Sequence, residues 1–357
     1  MKIVVYGLTI TSSWGNGHAT TYRSLLKALA DRGHAMHFIE KDVEWYRSNR
    51  DLPRPEFCSV HLYESWESRE SELLAVAVDA DVVIVGSYFP DAIRASHALF
   101  KQAGCPILFY DIDTPITLNR LREGEGTEYL RVVDVPSYAA YLSFTGGPSL
   151  GELERRFGAR RAIAFYCSVD PELYRPVRER VEFRCDLSYL GTYAADRQRT
   201  LVALLDGAAA LLPEGRFLVA GPQYPVDTVW QPNVARMIHI PPRDHPAFYS
   251  SCRFTLNLTR KDMIDAGYSP SVRLFEASAC GATILSDDWP GLREFLEPGE
   301  EILLPVDATE AALMLREMTD EERHRIGRRA RQRILAEHSA MHRAMELERI
   351  VSDCGAS

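Results

Sequence analysis

The segment at residues 269–282, Ser-Pro-Ser-Val-Arg-Leu-Phe-Glu-Ala-Ser-Ala-Cys-Gly-Ala, carries a cation and a carboxylate that could act together. Arg273 and Glu276 are three positions apart, so in a helix they share one face. A cation near a helix start, beside free backbone N–H groups, can neutralise a diphosphate, and a carboxylate one turn later can accept hydrogen bonds from two ribose hydroxyls. This spacing favours a nucleotide site, for which Ser271 at the helix start is a further candidate. The alternative is an exposed ion pair on an amphipathic helix.

Residues at both ends of this segment are typical of helix boundaries. Ser269 is predicted to be the N-cap, Pro270 to lie in the first turn and Gly281 to follow the last turn. The sequence therefore predicts a helix over residues 271–280.

Further candidates for binding a phosphate follow two other predicted strands of the carboxyl-terminal half. One strand ends in a glycine loop that leads into a helix opening with cations, which suits a phosphate. The other strand ends in two successive cations. These donor-binding candidates are Gly191, Thr192, Arg197, Arg260 and Lys261.

The loop after the first predicted strand reads Gly-Asn-Gly-His and precedes a helix. Asn16 and Gly17 are candidate contacts to an acceptor or sugar, because such loops bring backbone N–H groups close to a ligand. His18 is a candidate general base for an acceptor hydroxyl, and a histidine that is merely hydrogen-bonded in a loop is the alternative. A dinucleotide-binding fingerprint would need glycine at Thr20, although Glu40 could still imitate its ribose-binding acid.

Asp111 and Asp113 follow a buried apolar strand in the motif Tyr-Asp-Ile-Asp-Thr-Pro. An Asp-x-Asp pair could hold Mg²⁺ or Mn²⁺ on a sugar nucleotide, recognise hydroxyls, act as a base or cap a turn. We favour hydroxyl recognition or base catalysis over a metal site. Tyr88 is a candidate contact to the acceptor or sugar, and a core position is its alternative.

Short β-branched runs alternate with helical patterns in both halves of the chain, which predicts two doubly wound parallel sheets with ligands beyond the strands' carboxyl ends. The predicted strands lie near 2–8, 35–39, 57–62, 81–85, 106–110, 139–144, 187–190, 216–220, 236–240, 253–258, 282–286 and 301–304. The predicted helices lie near 19–32, 67–78, 90–103, 148–157, 196–212, 244–250, 271–280 and 308–318, with terminal helices over 320–351. The predicted domains are 1–165 and 181–335, with a connector at 166–180 and a final helix within 336–357.

The composition excludes several classes of protein. The chain has 357 residues, of which 46% are hydrophobic and 25% charged, as in ordinary globular proteins. Its net charge of -9 argues against a nucleic-acid partner. Seven scattered cysteines and no apolar run long enough to cross a bilayer favour a cytoplasmic protein. Peripheral membrane contact through the arginines of residues 323–333 is an alternative that we do not favour.

Three stretches of the carboxyl-terminal half together resemble the CgeB-type glycosyltransferase-like family, which is similar to the group-1 GT-B glycosyltransferases. They are Leu-Asn-Leu-Thr-Arg at 256–260, the segment at 269–281, and Ser-Asp-Asp-Trp at 286–289 followed by Gly-Leu at 291–292. Gly-Asn-Gly-His, Tyr-Asp-Ile-Asp-Thr-Pro, Leu-Gly-Thr-Tyr and Ala-Gly-Pro-Gln extend the resemblance over most of the chain.

The resemblance implies a GT-B fold, with two Rossmann-like doubly wound domains facing across a cleft. The amino-terminal domain would bind the acceptor and the carboxyl-terminal domain the sugar nucleotide, with Glu276 on the ribose and Arg273 near the diphosphate. The resemblance also implies that the final helix within 336–357 packs back on the first domain. The chain departs from the group-1 motif E-x7-E, because Tyr268 stands at the first glutamate position. Inverting and retaining mechanisms therefore both stay open.

The expected function is transfer of a hexose-type sugar from a nucleoside-diphosphate-sugar to an unidentified acceptor, with no cofactor or metal ion. His18, Asp111 and Asp113 are the candidate bases. The alternatives are a sugar-nucleotide epimerase or hydrolase on the same fold, and a non-catalytic sugar-nucleotide-binding protein of spore or envelope assembly. An NAD-dependent oxidoreductase is a more distant alternative.

Overall fold

A computed structural model describes residues 1–15 and 17–355 of the chain. The chain divides into two compact units. The first comprises Met1–Ser168 together with the terminal helix Ala340–Gly355, and the second comprises Val169–Ser339. No helix within the described residues is long and apolar enough to span a membrane.

The first unit is built on a seven-stranded parallel sheet with strand order β3-β2-β1-β4-β5-β6-β7. Its central strands are apolar and buried on both faces, as is usual in a parallel sheet. The strands are β1 (Lys2–Tyr6), β2 (Ala35–Lys41), β3 (Ser59–Tyr63), β4 (Val82–Gly86), β5 (Ile107–Asp111), β6 (Ala140–Ser143) and β7 (Ala162–Ala164).

The helices of the first unit include one from the far end of the chain. The six from the amino-terminal half are α1 (His18–Asp31), α2 (Glu44–Arg47), α3 (Trp66–Ala75), α4 (Ala92–Gln102), α5 (Thr114–Arg122) and α6 (Pro148–Arg155). The terminal helix, α14 (Ala340–Gly355), packs against α1. Arg32 donates two hydrogen bonds to Glu348 of that helix, each of 2.6 Å. The last helix thus belongs to the first unit.

The second unit holds a five-stranded parallel sheet with strand order β10-β9-β8-β11-β12. Its strands are β8 (Cys185–Leu190), β9 (Phe217–Ala220), β10 (Val234–Met237), β11 (Cys252–Asn257) and β12 (Thr283–Ser286). Its helices are α7 (Ala195–Leu201), α8 (Gly207–Leu211), α9 (His245–Ser251), α10 (Lys261–Ala266), α11 (Val272–Ala279), α12 (Ala308–Glu317) and α13 (Asp320–Glu337), and α14 (Ala340–Gly355) follows. The strand order reverses between β8 and β11, which is where open α/β sheets bind ligands.

The structure differs from the predicted elements at several places: strand β7 and helices α2 and α10 were not predicted, and three further differences concern residues 301–304, helix α5 and the predicted helix at 196–212. Residues 301–304 form no strand of the sheet, because only isolated bridges involve Ile302 and Leu303. The sequence missed helix α5, in which Pro115 occupies the first turn, where its lack of an N–H costs nothing. The predicted helix at 196–212 is interrupted by a π-helical turn at Val202–Asp206.

Candidate active site

The carboxyl ends of β8 and β11 position Arg273 of helix α11. Its Nε donates to the carbonyl oxygen of Leu190 at 2.6 Å, and its Nη1 donates to Oδ1 of Asn257 at 3.0 Å. The guanidinium also lies 4.9 Å from the centre of the Tyr189 ring. Arg273 is therefore fixed at the end of the sheet with one face of its guanidinium stacked on an aromatic ring.

Asn257 joins the end of β11 to the start of α11, a role that the sequence analysis missed. Its Oδ1 also accepts a hydrogen bond of 2.6 Å from the hydroxyl of Ser271, and its Nδ2 donates to Ser286 at 2.9 Å. Ser271, not Ser269 as predicted, is the N-cap residue, and its hydroxyl bonds Asn257 instead of a backbone N–H of the helix. Gly281 follows the helix with a φ of +73°, as predicted.

Two more arginines approach Arg273 at the same edge of the sheet. Nη2 of Arg197 donates to the carbonyl oxygen of Thr192 at 2.8 Å. The Nε atoms of Arg197 and Arg260 are buried without a hydrogen-bond partner among the described residues. Burial lowers the pKa of Arg197, and the charges of Arg273 and Arg260 lower it further. A carboxylate oxygen of Asp196 lies 3.9 Å from Nε of Arg260, beyond hydrogen-bond distance. We call Arg197, Arg260 and Arg273 the arginine cluster.

Gly191 lies beside the arginine cluster, at a position that leaves no room for a side chain. A Cβ at Gly191 would lie 2.8 Å from Nη2 of Arg273 and 2.8 Å from the hydroxyl of Tyr189. A Cβ at Gly221, whose φ is +143°, would overlap the carbonyl oxygen of Gly191. Two glycine loops are thus packed backbone to backbone at the carboxyl edge of the sheet.

Lys261 is placed apart from the arginine cluster. Its side chain is 71% exposed, and its ammonium pairs with Asp265 at 2.7 Å. Only its backbone N–H faces inward, donating to Asp196 at 2.8 Å. The structure therefore gives Lys261 a surface ion pair, while its sequence neighbour Arg260 joins the cluster.

Glu276 lies one turn after Arg273 and is 6% exposed. Its Oε2 lies 3.6 Å from Nδ1 of His245, the first residue of α9. The hydroxyl of Tyr174 lies 3.3 Å from Nδ1 of His245, and burial and then the Glu276 charge raise the pKa of Tyr174. Glu276 is therefore a buried carboxylate with two polar neighbours, and the exposed ion pair considered above is wrong.

In the first unit, the loop after β1 is held by Glu40. The Glu40 carboxylate accepts hydrogen bonds from the hydroxyls of Thr9 and Thr11 and from the backbone N–H groups of Ile10 and Thr11. Glu40 is fully buried. Glu40 organises the loop that leads to α1 and is not available to a ribose. The dinucleotide-binding alternative, which needs Glu40 as its ribose-binding acid, therefore loses support.

His18 and Asp113 come together beyond the ends of β1 and β5. Nε2 of His18 lies 3.6 Å from Oδ2 of Asp113, whose side chain is 34% exposed. Nδ1 of His18 is buried and has no hydrogen-bond partner among the described residues. Gly17 is exposed and is the N-cap of α1. Asn16 lies outside the described residues.

Tyr88 lies beside this pair in an unusual backbone conformation. Its φ is +62°, which is rare for a residue other than glycine and marks local strain. Its ring contacts the ring of His18 edge-on, with 5.4 Å between centres, and lies 4.8 Å from the ring of Tyr129. Burial and then the Asp113 charge raise the pKa of Tyr88. The structure thus brings Tyr88, His18 and Asp113 together.

Asp111 differs from Asp113 in being fully buried. It accepts hydrogen bonds from the hydroxyl of Tyr141 and, at 2.9 Å, from that of Thr117. Burial raises its pKa to about 6, and the Asp113 charge also raises it. Within residues 1–15 and 17–355, no three His, Cys, Asp or Glu side chains meet as a set of metal ligands. Asp111 therefore has a structural role, in which its buried carboxylate holds the hydroxyls of Tyr141 and Thr117 next to the site.

Replacing Asp111 with asparagine is expected to change how stability depends on pH. The carboxyl titrates near 3.8 in an unfolded chain but at about 6 when folded. Between these values the folded state binds more protons, so rising pH removes stability, by up to about 3 kcal/mol. The stability of Asp111→Asn relative to the parent should therefore increase by about 1–3 kcal/mol from pH 4 to pH 7 in urea unfolding. A difference that is constant with pH would contradict this assignment.

Most arginines of α13 have partners within the second unit. Arg331 donates to the carbonyl oxygen of Ala279 at 3.0 Å, and Arg323 donates to that of Arg253 at 3.1 Å. Arg329 pairs with Glu300. These arginines hold α13 against the second unit, which weakens the case for a basic membrane-binding face.

Comparisons with known proteins agree with this arrangement. Residues 197–349 match the family model described as "Glycosyl transferase-like". None of the curated proteins matches the chain. Sucrose-phosphate synthase from Thermosynechococcus elongatus has a TM-score of 0.71 and 16% identity, with 99% of each chain covered.

Two further solved structures are similar over their full length. HepE of Anabaena in complex with UDP-glucose has a TM-score of 0.69 and 13% identity, with 99% of this chain and 100% of that chain covered. A glycosyltransferase from Rickettsia africae has a TM-score of 0.68 and 11% identity, with 99% and 98% covered. With its two parallel Rossmann-like sheets, this chain has the GT-B fold, as predicted from its sequence.

Proposed function

We propose that this protein is a glycosyltransferase that takes a sugar from a nucleoside-diphosphate-sugar. The observation that carries the proposal is the arginine cluster at the carboxyl edge of the second sheet. Three guanidinium groups in partial burial repel one another, and two of them have a buried Nε without a described partner. A diphosphate is the ligand that such a site suits, because its oxygens can accept several charge-assisted hydrogen bonds.

The same edge supplies the other contacts that a nucleoside diphosphate needs. Gly191 allows backbone to approach the phosphates, and the start of α11 at Ser271 provides backbone N–H groups. Glu276 then accepts hydrogen bonds from the ribose hydroxyls. As the sugar leaves, the arginine cluster stabilises the charge that develops on the diphosphate. Because the cations are arginines and Asp111 is buried against Tyr141, we propose that no metal ion is required.

The acceptor is assigned to the first unit. Among the three predicted bases, His18 and Asp113 fit this role better than Asp111, because Asp111 is fully buried. The pair deprotonates the acceptor hydroxyl in an inverting reaction, and Gly17 and Tyr88 contact the acceptor or the sugar. In a retaining reaction the same residues position the acceptor without an obligatory base.

Finer features of the function rest on the motifs and on the similar structures. We propose a CgeB-type enzyme, because the stretches at 256–260, 269–281 and 286–292 resemble that family. UDP-glucose is the first donor to test, since HepE was solved in complex with it. We also propose a hexose as the transferred sugar and a cytoplasmic location.

The experiment that tests this function is turnover of a panel of sugar nucleotides, each with and without a panel of acceptors. We expect one sugar nucleotide to release its nucleoside diphosphate and to glycosylate an acceptor, with unchanged activity in EDTA. Product formed without any acceptor would indicate an epimerase or hydrolase instead. Binding without turnover across the panel would indicate a non-catalytic binding protein.

Replacing Gly191 with alanine is expected to weaken donor binding by roughly 10-fold. The new Cβ would press on Nη2 of Arg273 and on the hydroxyl of Tyr189, so the guanidinium must leave its position against Leu190. A loss of one charge-assisted contact of about 1.4 kcal/mol corresponds to that factor. Calorimetric titration with UDP measures it. Gly104→Ala is the control, because a Cβ there meets no atom within 4 Å.

A further inference from the structure

Two side chains from separate segments, Tyr174 and His245, lie beside the Glu276 carboxylate. Tyr174 precedes β8 and is 3% exposed, and His245 begins α9. The Tyr174 hydroxyl lies 3.3 Å from Nδ1 of His245, which in turn is 3.6 Å from Oε2 of Glu276. Burial and then the Glu276 charge raise the pKa of Tyr174, as expected for a hydroxyl close to that carboxylate. A buried carboxylate requires hydrogen-bond donors, and a hydroxyl or a protonated imidazole at these positions is able to provide one.

The contacts of His245 determine which of its ring nitrogens carries a hydrogen. Nε2 lies 3.0 Å from the carbonyl oxygen of Ile240, and a carbonyl oxygen can only accept. Nε2 is therefore the donor in that bond, and Nδ1 faces Tyr174 and Glu276. A neutral His245 accepts at Nδ1, whereas a protonated one presents a second donor toward the carboxylate.

From this geometry we infer that Tyr174 and His245 are positioning residues that hold the Glu276 carboxylate in the orientation needed to accept both ribose hydroxyls. This inference rests on the proposed function, because it takes Glu276 as the ribose contact. The Tyr174 hydroxyl hydrogen-bonds Nδ1 of His245 and so holds that ring beside Oε2 of Glu276, which leaves acceptor sites of the carboxylate for the ligand. His245 is also fixed by Ile240 and limits the rotation of Glu276.

A further consequence is that a residue well before β8 contributes to donor specificity. Tyr174 is anchored by its backbone N–H, which donates to the carbonyl oxygen of Asp170 at 2.8 Å. This anchor places the Tyr174 hydroxyl near the carboxyl edge of the second sheet, where the nucleotide is proposed to bind. Removing that hydroxyl should impair recognition of the ribose and leave recognition of the diphosphate unchanged.

The experiment compares UDP with 2′,3′-dideoxyuridine 5′-diphosphate, which lacks both ribose hydroxyls, by calorimetry on the full chain. Tyr174→Phe retains the buried ring and is expected to weaken UDP about 10-fold while changing the affinity for the dideoxy ligand less than about 2-fold. His245→Asn should show the same selectivity. Tyr138→Phe is the control, because it also removes a buried, hydrogen-bonded tyrosine hydroxyl, here bonded to Ser96, but in the first unit.

Combining Tyr174→Phe with Glu276→Gln sharpens the test. If Tyr174 acts through Glu276, the double variant binds UDP no more weakly than Glu276→Gln alone. The inference is overturned if Tyr174→Phe weakens both ligands equally, or if the two substitutions are additive. If Glu276→Gln itself leaves UDP binding unchanged, the proposed ribose contact is wrong and the inference falls with it. The single Glu276→Gln variant thus separates the two failures.

Discussion

Arg273→Ala is expected to raise the dissociation constant for UDP by about 100-fold or more. Arg273 is the member of the arginine cluster that is fixed to both β8, through Leu190, and β11, through Asn257. Truncating one partner of a buried, hydrogen-bonded charge pair costs about 2–5 kcal/mol, and each 1.4 kcal/mol is tenfold in affinity. Isothermal titration calorimetry with UDP measures the effect.

Two controls accompany this variant. Arg199→Ala removes an exposed arginine of α7 and should change the affinity less than about 2-fold, since exposed charges are screened by solvent. Arg273→Lys retains the charge but not the two directed bonds, and an intermediate loss is expected. Unchanged UDP affinity in a correctly folded Arg273→Ala would remove Arg273 from the site.

His18→Ala is expected to reduce sugar transfer by about 10²–10⁴-fold, the usual contribution of a general base. The imidazole lies 3.6 Å from Asp113, whose carboxylate can stabilise the charge that His18 gains on accepting a proton. The affinity for the donor should change little, because the arginine cluster belongs to the second unit. Steady-state transfer rates together with calorimetry separate the two effects.

Three other variants in the first unit serve as comparisons for His18→Ala. Asp113→Asn should also slow transfer, whereas His61→Ala removes a histidine of β3 that bonds His37 and should leave the rate unchanged. Asp111→Asn should affect stability more than transfer, because Asp111 is buried against Tyr141 and Thr117. A His18→Ala protein that transfers at the parental rate would place the base elsewhere or exclude base catalysis.

The features predicted best from the sequence are those that depend on short spacings. Arg273 and Glu276 are three residues apart, and this spacing alone placed them on one face of a helix whose bounds the structure gives as Val272–Ala279. The parallel sheets were predicted because buried strands are short continuous apolar runs, as in Val82–Gly86, where every residue is buried.

The features that the sequence could not predict depend on tertiary contacts. Ser269 and Ser271 are equally good N-cap residues by type, and the contact of Ser271 with Asn257 distinguishes them. Asp111 and Asp113 are equivalent by spacing, but Asp111 still belongs to β5 and is enclosed, while Asp113 lies just beyond the strand.

Contacts between residues that are far apart in the sequence could not be predicted either. The contacts of His245 with Tyr174 and with Glu276 join residues that are remote in sequence, and nothing in the local pattern of these segments indicates them. Burial also changed the interpretation of Lys261, whose ammonium faces Asp265 at the surface, while Arg260 next to it has a buried Nε.

The central claim is that a nucleoside diphosphate binds at the carboxyl edge of the second sheet. Hydrogen–deuterium exchange of the full chain with and without saturating UDP tests it most directly, because ligand contacts slow exchange of the backbone amides that they order. We expect protection in peptides that cover residues 190–193 and 269–276 and little change in the helices α12 and α13. Protection that is absent from both peptides, or confined to residues 1–168, would contradict the proposed donor site.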